Sequence, residues 1–553
     1  MRIDRLYIEE FINLKKFEVD FDESSRRQVV IGRNGVGKTN LLLALATIFI
    51  ELDLEEEATF AYKIEYHCNG YYVRISSTSS NANFQREYEI QPAENAELDH
   101  DLRNYMPISQ PAFHKRNRKV DGQINPERVL PRYVFGYYSG TSQRFEQTFA
   151  RHEEIYYKEQ IKGVEAPLRP AFLAKAHHSQ FALLSFFISH KDDDSHQRIR
   201  EFLESEFRIE KLDSVLFSIH EPYWWKGRKR KTINDKNSDL RFWSSGGRVA
   251  PFLESLFEHS FAPMSGTDKL KLSIGRETQI ERRYCYVPDE AAFRKVAGDL
   301  TPKEFFARLE SCVFTDLVSE NGNDVSVKVR LKNSSKPATF RDLSEGEQQI
   351  LTVIGLMRFT AENEGLFLFD EPDTHLNPAW CLDYLSNLRK YGVEPPNSQV
   401  IMTTHNPLTF AGLEKNEVVI LERSEGDIFA YHPTRAPKGM GFQAILTTSF
   451  FGLRAALDRE TMAKLDRKRE LALKVRKTDE DRMELVALDN ELGKLDFSKA
   501  ARDPLYLEFI RAMTAAQLNT EDIKDVAPDM DEWKKRKEIA VDIAKKIIAE
   551  GSE

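Results

Sequence analysis

The chain opens on short apolar runs separated by polar positions, and their spacing predicts strands. Ile3 to Ile8, Phe17 to Phe21 and Gln28-Val29-Val30-Ile31 fit that pattern, and the third runs straight into a glycine-rich turn and a helix from Lys38. Tyr62 to Tyr66 and Tyr71 to Ile75 alternate apolar with polar residues, as antiparallel strands do. Tyr133 to Tyr138 is a further strand, closed by Ser139-Gly140. From about Gln147 to Leu309 the pattern turns helical, most clearly over Ala174 to Ile188 and His196 to Phe207, which predicts a mainly helical insertion. Strand character returns at Val325 to Leu331, a helix opens at Ser344, and Leu366 to Phe369 and Gln399 to Thr403 read as buried strands. Strands alternating with helices predict an α/β unit with a largely parallel sheet.

Beyond about Ser449 only helices are legible. Thr478-Asp479-Glu480-Asp481 reads as a helix cap, Leu485, Leu488, Leu492 and Leu495 share the face behind it, and Asp503-Pro504 is a second cap. The divisions predicted are 1–146 with the glycine-rich turn, 147–320 as the insertion, 321–448 as the second α/β half, and 449–553 as a helical packing or oligomerisation domain.

The 553 residues carry 79 Lys plus Arg against 88 Asp plus Glu, a net charge of −9, which argues against a general polyanion binder. At 41% hydrophobic and 30% charged the composition is that of a soluble globular protein. The longest apolar stretch, Leu41 to Ile50, falls short of the roughly 20 residues needed to cross a bilayer. Met1-Arg2-Ile3-Asp4-Arg5 does not read as a secretion signal, so the cytoplasm is the expected compartment. Cys68, Cys285, Cys312 and Cys381 lack the paired spacing of a zinc site or a disulfide framework.

The chemistry begins at Gly32-Arg33-Asn34-Gly35-Val36-Gly37-Lys38-Thr39, followed by Asn40. It matches the phosphate loop GxxxxGKT, whose four fixed positions arise by chance in roughly 2% of chains this long. Its glycines let backbone N–H groups wrap phosphates, Lys38 offers a charge to the outer ones, and Thr39 puts a hydroxyl on Mg²⁺. Leu366 to Phe369 ends in Asp370-Glu371-Pro372, two acids at the end of an apolar strand. With a phosphate loop upstream, Asp370 is the expected Mg²⁺ ligand and Glu371 the general base on the attacking water. Leu343-Ser344-Glu345-Gly346-Glu347-Gln348-Gln349 is a small-residue helix start suited to an anion, and His405 in Met402-Thr403-Thr404-His405-Asn406-Pro407 stands where a γ-phosphate sensor would.

In this order the phosphate loop, the LSxGE-type signature, the Asp-Glu-Pro strand and the Thr-Thr-His segment resemble the ABC-type ATPases of the SMC, RecF and OLD-like branch. The opening Ile8 to Lys15 is similar to that branch's first strand. The resemblance implies an ABC-type head, a mixed sheet with a phosphate loop, carrying a helical insertion and a helical C-terminal domain. It implies ATP and Mg²⁺ as cofactors, two nucleotides sandwiched between two heads, and Ser344 and Gly346 acting in trans, so that the working unit is a homodimer or higher oligomer. It also implies a D-loop over Asp373 to Pro378 and a Q-loop glutamine contacting the metal, for which Gln143 is the candidate and Gln180 the second choice. Glu345 stands where the family has a small residue, and its charge is expected to slow closure or hydrolysis.

Transporter nucleotide domains are much shorter, ABC-F factors carry two phosphate loops, SMC proteins have long coiled coils, and OLD nucleases continue into a Toprim domain whose acids are missing after His405. The chain most resembles the PtuA family, ATPases of Septu antiphage systems including retron-associated ones, over Tyr133 to Gly140, Leu343 to Gln349, Asp370 to Pro378 and Phe450 through Leu505. That family implies a PtuB-like HNH nuclease partner and, in retron versions, a reverse transcriptase with its DNA product. The alternative is a RecF-like or OLD-like ATPase acting directly on DNA in repair or recombination. Nucleic-acid contact, if made by this chain, is expected at Lys226, Arg228, Lys229, Arg230 and Lys231, beside Tyr223-Trp224-Trp225 and near Arg241-Phe242-Trp243. The competing reading is a solvated loop next to buried tryptophans. His114 to Lys119 is a weaker basic run, and Trp533 to Lys537 reads as an exposed helix face.

Overall fold

In the computed structural model, described residues are 1–80, 83–95, 103–118, 120, 125–140, 142–161, 170–188, 194–227, 240–273, 276–360, 364–392, 397–424, 426–448, 450–454, 457–474, 476–493, 495, 538 and 541–543. They form two compact units, Met1–Ala436 and Pro437–Glu553, where the sequence pattern placed the break at 448/449.

The first unit begins with β1 (Arg2–Phe11), β2 (Leu14–Asp20) and β3 (Arg27–Gly32), followed by α1 (Lys38–Asp53). Next come β4 (Tyr62–Cys68), β5 (Tyr71–Ser80), β6 (Asn83–Pro92), β7 (Met106–Ile108), α2 (Gln110–Asn117), β8 (Tyr133–Tyr138), α3 (Arg144–Ile161) and β9 (Ala171–Leu173). The middle of the chain supplies α4 (His177–Phe187), α5 (Asp194–Glu206), β10 (Ile209–His220), α6 (Tyr223–Gly227), α7 (Val249–His259), β11 (Phe261–Ser273), β12 (Arg276–Val287), α8 (Glu290–Ala297) and α9 (Pro302–Phe314). Then follow β13 (Val325–Leu331), β14 (Ala338–Thr339), α10 (Glu345–Thr360), β15 (Gly365–Asp370), α11 (Pro378–Gly392), β16 (Gln399–Thr403), α12 (Pro407–Phe410), β17 (Val418–Ser424) and β18 (Asp427–Tyr431).

Seven strands, in the order β18-β17-β3-β16-β15-β8-β9, make the sheet that carries the site. All its pairings are parallel except that of the edge strand β18. β15 and β16 are buried at every residue, which is why each reads as a continuous apolar run. A six-stranded antiparallel sheet, β2-β1-β4-β5-β6-β7, shares one core with it. Helix α1 joins that core, and within its Leu41 to Ile50 run Thr47 is the one polar residue.

The insertion departs from the helical expectation. It contains three long strands, β10, β11 and β12, which form a five-stranded sheet with β13 and β14 in the order β11-β12-β10-β13-β14. β10 disguised itself because two bulges, between Ile209 and Lys211 and between Leu212 and Ser214, break the two-residue alternation. Its buried Ile209, Leu212 and Val215 consequently recur every third residue, as on a helix. β13 pairs with this sheet rather than with the site-bearing one, whereas β9, from the insertion, extends the latter. Among the described residues no helix is long and apolar enough to cross a membrane, and the four cysteines are buried and unbridged.

The second unit contains α13 (Phe442–Thr447), α14 (Arg459–Leu473) and α15 (Asp479–Gly493). Thr478 caps α15 as expected: its N–H donates to Asp481 at 3.0 Å and its Oγ1 accepts from the Asp481 N–H at 3.2 Å. Leu492 is buried with Leu471 of α14, whereas Leu495 is exposed. Arg467 grips both Glu484 carboxylate oxygens at 2.8 and 2.9 Å, tying the two helices. Asp503-Pro504 and Trp533 to Lys537 lie outside the described residues.

Candidate functional site

The phosphate loop leaves β3 at Gly32 and closes onto α1 at Gly37, the helix N-cap, which sits in the left-handed region at φ 96°. A side chain at Gly37 would collide with Leu14 at 2.8 Å, and one at Gly32 with the Leu421 carbonyl at 2.5 Å, so the loop is built against β2 and β17. Lys38 Nζ donates to the Gly32 carbonyl at 2.8 Å. Burial holds this ammonium below its ordinary pKa, with Glu371 and Asp370 pulling it back up.

Asp370, at the end of β15, is buried between two hydroxyls. Its Oδ2 accepts from Thr39 Oγ1 at 2.7 Å and its Oδ1 from Thr403 Oγ1 of β16. Burial raises its pKa, opposed by those two hydrogen bonds. Glu371 follows in the left-handed region at φ 51°, a conformation that costs a non-glycine residue on the order of 1–3 kcal/mol. Its N–H is held by the Thr403 carbonyl and Oγ1, each at 3.1 Å, and its own carbonyl accepts from Thr374 Oγ1 at 2.8 Å. This turn aims the carboxylate at His405, whose Nδ1 stands 3.0 Å from Glu371 Oε1. Thr404 serves the other acid of the turn: its Oγ1 donates to Asp373 at 2.7 Å, and Thr409 donates to the same oxygen.

The signature helix α10 opens with a reciprocal cap. Ser344 N–H and Oγ donate to Glu347 at 2.6 and 2.9 Å, and the Glu347 N–H returns to Ser344 Oγ at 3.3 Å. Gly346 packs under the segment after Asp373, where an added Cβ would stand 2.7 Å from the His375 carbonyl. Glu345 is exposed, and its carboxylate lies 3.4 Å from His375 Nδ1.

The sequence-derived residues thus fall into two groups. The loop residues Lys38 and Thr39 meet Asp370, Glu371 and His405 at one end of the parallel sheet. Gly346 packs against the segment after Asp373, and Ser344, two residues earlier, makes its hydrogen bonds within its own cap. Asn40 is buried, its amide donating to Asn13 at 2.6 Å, and Asn34 is an exposed residue of the loop. Gln143 is exposed on the turn after β8, beside Arg144, which reaches Asn40 at 3.4 Å; among the described residues no hydrogen bond joins its side chain to Thr39 or Asp370. Gln180 is a buried packing residue; with its amide turned to the orientation that satisfies its neighbours, it donates to the carbonyls of Gly322 and Val325 at 3.2 and 3.0 Å. Arg228 to Lys231 and the Lys226 side chain lie outside the described residues. Of the neighbouring aromatics, Trp243 is buried beneath Arg283, Trp224 donates to the Thr315 carbonyl at 2.8 Å, and Tyr223 is exposed.

Asn13, Thr403 and Arg423 escaped the sequence reading as site residues, and Asp373 enters it only as the start of the D-loop. Thr403 and Asp373 sat inside motifs already singled out. Arg423, 388 residues from the loop carbonyl it touches, gave no local signal.

Residues 1–207 match the family model described as "AAA ATPase domain", and residues 185–411 match "AAA domain, putative AbiEii toxin, Type IV TA system". The chain is similar to Septu protein PtuA of Bacillus mycoides, 32% identical over 149 residues, 26% of this chain and 21% of that protein. It is also similar to the Retron Vc95 probable ATPase of Vibrio cholerae, 28% identical over 133 residues, 22% of this chain and 25% of the relative. The matched stretches therefore span a quarter or less of these relatives' lengths. The SMC head domain from Thermotoga maritima aligns with 78% of this chain and 99% of its own at 11% identity and a TM-score of 0.32.

Proposed function

We propose that this chain is the ATP-binding and ATP-hydrolysing subunit of an antiphage defence complex, working in the cytoplasm as a dimer or larger assembly that controls an HNH nuclease partner. The observation that carries the reading is the meeting of three distant motifs in one cluster, Thr39 on Asp370 and Glu371 on His405. Similarity to Septu PtuA and to the retron ATPase supports the defence setting.

The Thr39 hydroxyl and the Asp370 carboxylate are an all-oxygen donor pair already in contact, which fits Mg²⁺. Bound there, the ion would neutralise phosphate charge. Backbone N–H groups of Gly35 to Thr39, with Lys38, hold the phosphates, and Gln143, on the turn after β8, is the candidate for a further metal contact. Glu371 takes the proton from the attacking water, and His405, paired with it, keeps the carboxylate directed and reads the γ-phosphate. Ser344 and Gly346 complete the site of a second copy. Closure of the two heads sets the position or access of the nuclease, and in a retron version a reverse transcriptase with its DNA product joins the assembly.

The test is affinity purification from the native host in ATP and Mg²⁺, identifying proteins by mass spectrometry and nucleic acid by sequencing. A stoichiometric HNH protein is expected. Recombination proteins or genomic DNA without a nuclease would replace this reading with that of an ATPase acting directly on DNA.

A further inference from the structure

Arg423 and Asn13 converge on one atom of the phosphate loop. Leu421 of β17 pairs with Gly32, the last residue of β3. Beyond that point β3 turns into the loop, while β17 runs on to Ser424 and carries Arg423 alongside it. Arg423 Nη2 donates to the Gly35 carbonyl at 3.0 Å, and Asn13 Nδ2, from the turn between β1 and β2, donates to the same oxygen at 3.1 Å. Asn13 is itself fixed, since its Oδ1 accepts from the buried Asn40 amide at 2.6 Å and lies against Gly37.

Gly35 is held by its carbonyl rather than by side-chain packing. It sits at φ 82°, and a Cβ there would meet nothing within 4 Å, so no neighbour packs against that side of the residue. In a trans peptide the carbonyl and the following N–H point in opposite directions. Fixing the Gly35 oxygen therefore also fixes the opposite direction of the Val36 N–H, which has only a long 3.4 Å hydrogen bond to the Arg33 carbonyl. We infer that Arg423 and Asn13 are positioning residues that clamp the Gly35 carbonyl and keep the loop's N–H groups directed at a bound polyphosphate. The inference rests on the phosphate-loop reading above, and it adds a dependence of nucleotide affinity on β17, the strand paired with β3.

The clamp acts through the loop, which cradles the phosphates that ATP and ADP share. Calorimetric titration of the full chain with each nucleotide and Mg²⁺ tests it, beside melting without nucleotide. Losing one charged hydrogen bond should cost about tenfold in affinity. Arg423→Ala is expected to lose that factor equally for ATP and ADP with an unchanged melting temperature. Arg423→Lys should recover part of it, and Arg423→Ala with Asn13→Ala should lose more than either alone. Unchanged affinities for Arg423→Ala would overturn the clamp. So would a loss confined to ATP, which would put Arg423 on the γ-phosphate itself, or a lowered melting temperature without nucleotide, which would make it a fold residue. A wild-type chain that bound neither nucleotide would instead overturn the phosphate-loop reading, and the clamp with it.

Discussion

Glu371 and His405, 34 positions apart in the chain, stand with Oε1 and Nδ1 3.0 Å from each other. The pairing depends on the left-handed turn at Glu371, which Thr403 holds by accepting its N–H. A backbone placed at that energetic cost beside a phosphate loop is the arrangement expected of a reacting carboxylate.

Glu371→Gln keeps the shape and hydrogen-bonding capacity of the side chain and removes its basicity. ATP turnover should fall by about 100-fold or more while ATP affinity stays within a few-fold of wild type. Steady-state hydrolysis and calorimetry check this, and turnover at the wild-type rate would remove Glu371 from the role of base.

Lys38→Ala deletes the ammonium that now rests on the Gly32 carbonyl. Nucleotide affinity should drop by at least tenfold, and calorimetry showing unchanged binding would contradict the phosphate-loop assignment.

Thr403→Val removes the hydroxyl that donates to Asp370 and accepts from the Glu371 N–H. Leaving a buried carboxylate short of a partner costs about 1–3 kcal/mol, so the variant should unfold at lower denaturant and turn over more slowly. Equal stability and equal turnover would mean that the Asp370 bond carries neither role.

Glu345→Gly removes an exposed acid at the start of the signature helix, 3.4 Å from His375. If that charge opposes the approach of a triphosphate, turnover should rise several-fold, most visibly at low ionic strength. A slower variant would assign Glu345 a helpful contact instead.

Asp481 is held down to about 2 by Lys474 and by the Thr478 cap. Its folded-state pKa is depressed from 3.8, so the stability it lends α15 is present above the unfolded value and is lost as pH falls through about 2. Carboxyl titration by NMR should find the depressed value, and Lys474→Ala should raise it toward 3.8.

Much of this site was legible because its residues announce themselves locally. A β-branched strand ending in Gly-x-x-x-x-Gly-Lys-Thr and an apolar run ending in Asp-Glu need no tertiary information, and the parallel sheet sets their ends on either side of β16. The Thr-Thr-His segment was legible as a strand end, but not the division of labour within it, in which Thr403 serves Asp370 and Thr404 serves Asp373. β10 was misread because its bulges convert a two-residue period into a three-residue one. Arg423 was invisible because its meaning lies entirely in the register of β17 against β3.

The central claim, that one copy's signature completes another's phosphate site, is tested most directly by complementation. Lys38→Ala keeps an intact signature, and Ser344→Arg keeps an intact phosphate loop. Co-expressed on separate tags and purified through both, the two inactive chains should regain ATP turnover at a substantial fraction of one wild-type site. Turnover no higher than that of either chain alone, or a fully active Ser344→Arg chain, would contradict the account.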